Sequence, residues 1–388
     1  MRRVYLDNNA TTRMREEVLE AMLPYYKDIY GNASSIHEFG RQARRAVDDA
    51  RARVAALVGA SSPEEIIFTS GGTESDNFAI KGAAHALKAK GDHIVTSTIE
   101  HHAVFNTCKF LEKEGYRVTC VGVDKDGVVK LDELKSAITD KTILVSIMYA
   151  NNEMGTIEPV EEIGAIAKEK GILFHTDAVQ AVGKVPFEVS KLNVDLLSLS
   201  GHKLYGPKGI GALYIKKRTK ITPILHGGHH EMNKRAGTEN VAGIVGLGAA
   251  AELAKKELAD EAAHLKELRD YLYKGLRESI ADIKLNGHPE KRLPNTLNIS
   301  FQYLEGESII LSLDMEGVAV STGSACTSGS LEPSHVLMAM GIEPVDSQGS
   351  IRFSLGTDNT KEDMDYCLKV LPPIIKRLRD MSPLYEKK

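Results

Sequence analysis

Cysteine is scarce in this chain. Its four cysteines among 388 residues, at positions 108, 120, 326 and 367, are too few and too scattered for a disulfide framework, and no C-x-x-C pair is present for zinc. A reducing cytoplasmic setting is the expectation. Charge of one sign is not in excess either: 49 Lys and Arg against 53 Asp and Glu leave a formal net charge of −4. Without a long run of Lys or Arg, neither nucleic acid nor an anionic membrane is expected as the main partner. Long hydrophobic runs are missing too. The most apolar stretch, residues 243–251, falls far short of the ~20 residues of a membrane helix, and the first nine residues turn polar before an apolar h-region can form. No Walker A sequence, G-x-S-x-G elbow or H-E-x-x-H occurs. What is present is ordinary globular composition, 42% hydrophobic and 26% charged, over a length that suits two to three domains at roughly 150 residues each.

Between residues 60 and 215, short apolar and β-branched runs alternate with longer helical patterns. The runs are 65–69, 93–97, 117–121, 143–149, 172–175, 194–199 and 211–215. Several are apolar almost throughout, as strands covered on both faces must be. This predicts a doubly wound α/β domain with a mostly parallel seven-stranded sheet. Residues 15–26 and 38–58 read as helices, and 246–280 as a long helix linking two domains. The tail then changes to strand-like 295–301, a helix over 307–315, strand-like 318–321 and 350–355, and a final helix over 360–380. The expected division is a large domain over 15–260 and a smaller α+β domain over 1–14 and 261–388.

In an open parallel sheet, ligands bind at the carboxyl ends of the strands, where loops converge and helix N-termini point N–H groups inward. The residues that follow the strands are Gly71-Gly72-Thr73, then Glu100-His101-His102, then Asn151-Asn152-Glu153, then Asp177 with Gln180, then Ser200-Gly201-His202-Lys203. Singly, each has an ordinary explanation: a turn, a helix cap or a solvated lysine. Together they place an anion cradle, an imidazole, an amide, a carboxylate and a lysine on one edge. Pyridoxal phosphate needs that set: N–H groups for its phosphate, a carboxylate for its pyridine nitrogen and a lysine for its aldehyde.

Two decoys compete. Gly246-x-Gly248-x-x-Ala251 imitates a dinucleotide fingerprint, but no strand precedes it and an uninterrupted helical pattern follows. His226, His229 and His230 are close enough in sequence to suggest a metal, yet flanking glycines and the lack of a nearby acid favour a structural or phosphate-side role. Cys108 and Cys367 in helical patterns and Cys120 in a strand pattern read as small buried hydrophobes. Cys326 differs, because it sits in a run of Gly, Ser and Thr that cannot pack a core. That run is expected to be mobile and exposed, with a reactive thiol.

These residues resemble the NifS/IscS-type cysteine desulfurases, class V aminotransferase relatives of fold type I. The likeness runs from Tyr5-Leu6-Asp7-Asn8-Asn9-Ala10-Thr11-Thr12 through Gly72-Thr73-Glu74-Ser75, Glu100-His101, Asn151-Asn152-Glu153, Asp177-Ala178-Val179-Gln180, Ser200-Gly201-His202-Lys203 and Arg235-Ala236-Gly237-Thr238-Glu239-Asn240 to Gly323-Ser324-Ala325-Cys326, and it looks closer to NifS than to IscS. The resemblance implies pyridoxal 5'-phosphate held covalently by Lys203, with His101 stacked on its ring, Asp177 at its nitrogen, and Asn152 and Gln180 beside it. It implies a phosphate held by Gly72, Thr73, Ser200 and His202, with Thr238 donated by the second subunit of a homodimer. Arg352 matches the arginine that holds the substrate carboxylate, with Asn152 also near the substrate. The implied reaction takes L-cysteine to L-alanine with a persulfide on Cys326, passed to an iron–sulfur scaffold or another sulfur acceptor. No resident metal is implied, only a transient iron–sulfur ligand role for Cys326. A selenocysteine lyase, another aminotransferase-type enzyme and a cofactor-free sulfur carrier stay open as alternatives. One departure is Gly31-Asn32-Ala33-Ser34-Ser35, where relatives commonly have proline in place of Ala33; its loss is expected to loosen the loop.

Overall fold

The computed structural model describes residues 2–323, 333–383 and 385. Cys326, and with it the expected mobile run, lies outside the described residues. The strands in chain order are β1 (Val4–Tyr5), β2 (Ile66–Thr69), β3 (His93–Ser97), β4 (Arg117–Val121), β5 (Thr142–Ser146), β6 (Leu173–Asp177), β7 (Leu196–Ser200), β8 (Gly211–Ile215), β9 (Ile283–Asn286), β10 (Thr296–Phe301), β11 (Val318–Ala319) and β12 (Ser350–Ser354).

Seven of these form the central sheet in the order β2-β8-β7-β6-β5-β3-β4. The pairs β7-β6, β6-β5, β5-β3 and β3-β4 are parallel, and β8 runs against both β7 and β2. Every residue of β3, β5, β7 and β8 is buried, which explains their nearly unbroken apolar sequences. At the sheet edge, β4 is half exposed. Cys120 is therefore exposed rather than a buried hydrophobe, while Cys108 and Cys367 are buried as expected.

Two long helices cover one side of this core. The helix Glu38–Val58 is capped at its start by the His37 ring, which accepts from Gly40 N, and it ends on Gly59 at φ 70°, a conformation glycine adopts without steric penalty. It packs against the helix Val241–Ser279, whose Gly248 lies so close that an added Cβ would come within 2.6 Å of Ala50 Cβ. The glycines of the apparent dinucleotide fingerprint are thus contact points between helices. This long helix begins at Val241, earlier than expected, because the Asn240 side chain accepts from Gly243 N. Its first half packs with the large sheet through Leu247, Ala250 and Ala251. Its second half, through Leu265, Leu268, Leu272 and Leu276, joins a separate cluster with Leu297, Phe301, Phe353 and Leu371.

That second cluster surrounds the antiparallel sheet β12-β10-β9 and the helix Lys361–Met381. The N-terminal segment belongs there as well: β1 lies parallel to β11, and Asp7 bridges to Ser354. The short strand β9 carries no run long enough to signal it in sequence. The expected helix over 15–26 is broken into Glu16–Met22 and Pro24–Lys27, as the missing N–H of Pro24 requires. Among the described residues, no helix is long and apolar enough to cross a membrane.

Candidate active site

The carboxyl ends of β2, β3, β5, β6 and β7 open onto a cavity of about 280 Å³. It is lined by Gly72, Thr73, His101, Asn152, Asp177, Gln180, Ser200, His202, Lys203 and Arg352. Of the candidate residues named from sequence, only Thr238 and Cys326 are not in that lining. Thr238 is exposed, and Cys326 is outside the described residues.

One wall is the start of the helix Gly72–Leu87, entered through Gly71 at φ 153°. Gly72 is pressed against Val179, whose Cγ2 would stand 2.8 Å from an added Cβ. The backbone can therefore come close to a ligand here, with unpaired helical N–H groups and the positive end of the helix dipole facing an anion. Ser200 closes β7, and His202 beside it shares a hydrogen bond with Thr11 Oγ1 at 3.1 Å. Burial and the neighbouring Lys203 bring the His202 imidazole down to about 4.

His101 caps the helix His102–Lys113, its Nδ1 accepting from Ala103 N at 3.1 Å. Burial, and next the charge of Lys203, lower its pKa to about 4. At neutral pH the ring is uncharged with its proton on Nε2, because Nδ1 is the acceptor. Its neighbour Glu100 is fully buried and accepts from Ser97 Oγ at 2.6 Å and Met148 N at 3.0 Å. Burial raises that carboxyl to about 8, so Glu100 is a neutral acid tying β3 to the loop after β5.

Asp177 ends β6, with Oδ1 accepting from Val179 N at 2.9 Å. Burial lifts it to about 6, against the lowering effects of that N–H and of Lys203. Behind it lies Asp76, which carried no signal in sequence because it falls inside a helical pattern. Asp76 is buried, its Oδ1 makes no hydrogen bond, and burial and then Asp177 push its carboxyl well up. Among the described residues, the one grouping close enough for a metal is Asp76, His101 and Asp177. It lies inside this same cavity, and two of its three members are the residues that a pyridine ring would use.

Lys203 ends a 3-10 turn, Gly201–Lys203, directly after β7. Its Nζ donates to Asn9 O and, at 2.6 Å, to Ala10 O. Arg352, on β12 and only 2% exposed, lines the same cavity. Its Nη1 donates to Asn152 O at 2.9 Å and its Nη2 to Asp7 Oδ1 at 2.7 Å, while Nε is buried without a partner. Sequence patterns did not reveal Asp7 or Asn9 as site residues, because their partners, Arg352 for Asp7 and Lys203 for Asn9, are distant in sequence.

The donor set fits pyridoxal phosphate. The glycine-led helix start, with Thr73, Ser200 and His202, suits a phosphate. The buried Asp76 and Asp177 pair, with Asp76 Oδ1 unsatisfied, suits a cationic ring nitrogen, and a lysine amine faces the same space.

Comparison with known proteins agrees. The aminotransferase class-V family matches residues 4–367. The chain is 59% identical over 382 residues to the cysteine desulfurase IscS of Dictyoglomus turgidum, covering 98% of this chain and 97% of that protein. It is 58% identical over 384 residues to the cysteine desulfurase IscS of Methanosarcina thermophila, covering 99% and 95%. A solved NifS-like protein superposes with a TM-score of 0.92 at 44% identity, covering 97% of this chain and all of the other. The chain belongs to the class-V aminotransferase family. Within that family, its curated relatives carry the name cysteine desulfurase.

Proposed function

We propose that this protein is a pyridoxal-phosphate-dependent cysteine desulfurase that converts L-cysteine to L-alanine and keeps the sulfur as a persulfide on Cys326. The observation that carries the reading is the convergence of Lys203, Arg352, Asp177 and a glycine-led helix start on one cavity. When bound, the cofactor supplies an electron sink that makes the Cα–H bond of an amino acid acidic.

The chain's own groups supply the rest. Gly72, Thr73, Ser200 and His202 hold the phosphate, Asp177 holds the ring nitrogen, and Gln180 and Asn152 donate at the ring edge. Arg352 binds the substrate carboxylate with its planar guanidinium. Lys203 Nζ takes the Cα proton, and His101 Nε2 passes a proton to the departing group. The Cys326 thiolate attacks the substrate sulfur: the Cβ–S bond breaks, an S–S bond forms, and the carbon fragment takes one proton at Cβ and recovers the one held by Lys203 at Cα to become alanine. The atoms balance as cysteine plus thiol giving alanine plus persulfide, with no external oxidant.

The persulfide then passes to an iron–sulfur scaffold or another acceptor in the cytoplasm. A homodimer, with Thr238 reaching the partner's phosphate site, is part of the same proposal. Its support is an exposed apolar surface where Tyr30 and Phe39 rings lie 5.6 Å apart beside Ile36, which is 90% exposed. Incubation with cysteine and a thiol reductant, which releases the persulfide sulfur as sulfide, should yield alanine and sulfide together in the wild type. Cys326→Ser should still bind cofactor and cysteine yet release almost no sulfur, and full alanine production by that variant would contradict the persulfide route.

A further inference from the structure

Lys184 is a buried ammonium that the proposed chemistry does not use. It is 5% exposed, and its Nζ donates to Gln180 Oε1 at 2.9 Å. Gln180 and Lys184 lie four residues apart in a helical turn after β6, where Ala181 O accepts from Lys184 N. Gly183, at φ 74°, brings this turn so near Leu204 that an added Cβ would meet Leu204 Cδ2 at 2.5 Å. The backbone thereby anchors Lys184 beside the segment that carries Lys203.

The bond has a directional consequence. An ammonium has three donors and no acceptor, so only the Oε1 of Gln180 can face it. The amide nitrogen must then point the other way, and Gln180 Nε2 does donate to Asn9 O at 3.0 Å. That carbonyl also accepts from Lys203 Nζ. Lys184, Gln180, Asn9 and Lys203 therefore form one hydrogen-bonded chain along the cavity wall, in which the orientation of the Gln180 amide depends on the charge behind it. The second N–H of Gln180 remains for a ligand in the cavity that this residue lines.

We propose that Lys184 is a positioning residue for the cofactor site, fixing the Gln180 carboxamide with its N–H groups toward the ligand and placing a positive charge behind Lys203. Burial, then Lys203, holds the Lys184 ammonium down at about 7, with Glu261 opposing and Arg352 adding to the lowering, so the charge that orients the amide is present below about pH 7. The charged and titratable groups around it are His202 and Lys203 from the turn after β7, Glu261 from the long helix and Arg352 from β12.

The inference rests on the cofactor reading above, and the test separates the two. Wild type, Lys184→Met, Lys184→Arg, Gln180→Leu and the double variant Lys184→Met/Gln180→Leu are loaded with pyridoxal phosphate. The pH midpoint of the bound chromophore and the dissociation constant of the cofactor are then measured. Removing the charge and releasing the amide both favour the proton on the Lys203 side, so the midpoint in Lys184→Met should rise by about 0.5 pH unit or more. Lys184→Arg, which keeps donor and charge, should restore a midpoint at or below that of wild type. The Lys184→Met shift should be at least halved when Gln180 is already Leu. If Lys184→Met does not fold, the Arg variant decides: a raised midpoint there overturns the proposal. An unmoved midpoint in Lys184→Met, or a shift undiminished in the Gln180→Leu background, overturns it as well. A wild type that takes up no chromophore overturns the cofactor reading and this inference with it.

Discussion

Arg352 and Asp7 are joined by a 2.7 Å ion pair across 345 positions of sequence. The guanidinium proposed to hold the substrate carboxylate thus already holds a carboxylate of its own chain on Nη2, with Asn152 O on Nη1 and a buried Nε without a partner. Asp7 fixes the plane of the guanidinium before any substrate arrives.

Arg352→Lys keeps the charge but loses the fork that Asp7 and Asn152 orient. We expect KM for cysteine to rise about tenfold or more, a loss of roughly 1.4 kcal/mol or greater, with the cofactor dissociation constant changed little. Unchanged KM with weakened cofactor binding would contradict the assignment.

Lys203→Ala should abolish covalent attachment of pyridoxal phosphate. After borohydride treatment and digestion, the wild type should carry the label on the peptide containing Lys203 and the variant none. Label on Lys208 in the variant would move the assignment.

Asp177 predicts a pH dependence. Its carboxyl titrates near 6 in the folded chain against 3.8 for an unperturbed group, burial being the main cause. Cofactor affinity should therefore fall as pH drops through about 6, because the anion needed for the ring nitrogen is lost. Stability has a related sign: the folded chain binds the proton more tightly, so this contribution is full below pH 3.8 and lost as pH rises through about 6. Asp177→Asn should raise the melting temperature of the cofactor-free protein at pH 8, with a gain in unfolding free energy on the order of 3 kcal/mol, while weakening cofactor binding. A lowered melting temperature would refute the burial argument.

The segment leading to Thr238 is tied down by Glu231, which takes two 2.7 Å bonds from the buried Arg51 guanidinium and one of 2.8 Å from Phe68 N. Glu231→Gln should cost about 3–5 kcal/mol in urea unfolding, since it leaves the Arg51 charge buried without its counterion. The double variant Arg51→Met/Glu231→Met should lose less than the sum of its singles.

The sheet and the strand-end chemistry were legible because both are local. A strand buried on two faces writes itself as an apolar run, and Lys203, Asp177 and His101 each stand within a few residues of such a run. Contacts between distant segments left no such trace. Asp76 sits in the helix Gly72–Leu87 as one polar residue among others, and only the fold brings it to Asp177. Lys184 looks like a surface lysine until its burial is known. The exposure of Cys120 follows from the position of β4 at the edge, which no periodicity encodes. Residues 31–35 lack the family's proline, yet the Asn32 side chain accepts from Ser34 N at 2.8 Å and Ala33 O accepts from Arg44 Nε at 3.1 Å. Those bonds hold the turn by a means that composition does not reveal.

The N-terminal segment has a consequence for biosynthesis. Asn9 O and Asp7 complete a cavity whose other walls come from residues 72–203 and from Arg352, and β1 pairs with β11. On the ribosome, residues 4–12 are made before β2 through β8, and Arg352 only after them. A nascent chain can lay down β2 through β8 and already carry Asp7 and Asn9, yet still lack Arg352, the guanidinium that Asp7 orients. A chain stalled before β12 would therefore be a folded sheet whose site lacks Arg352.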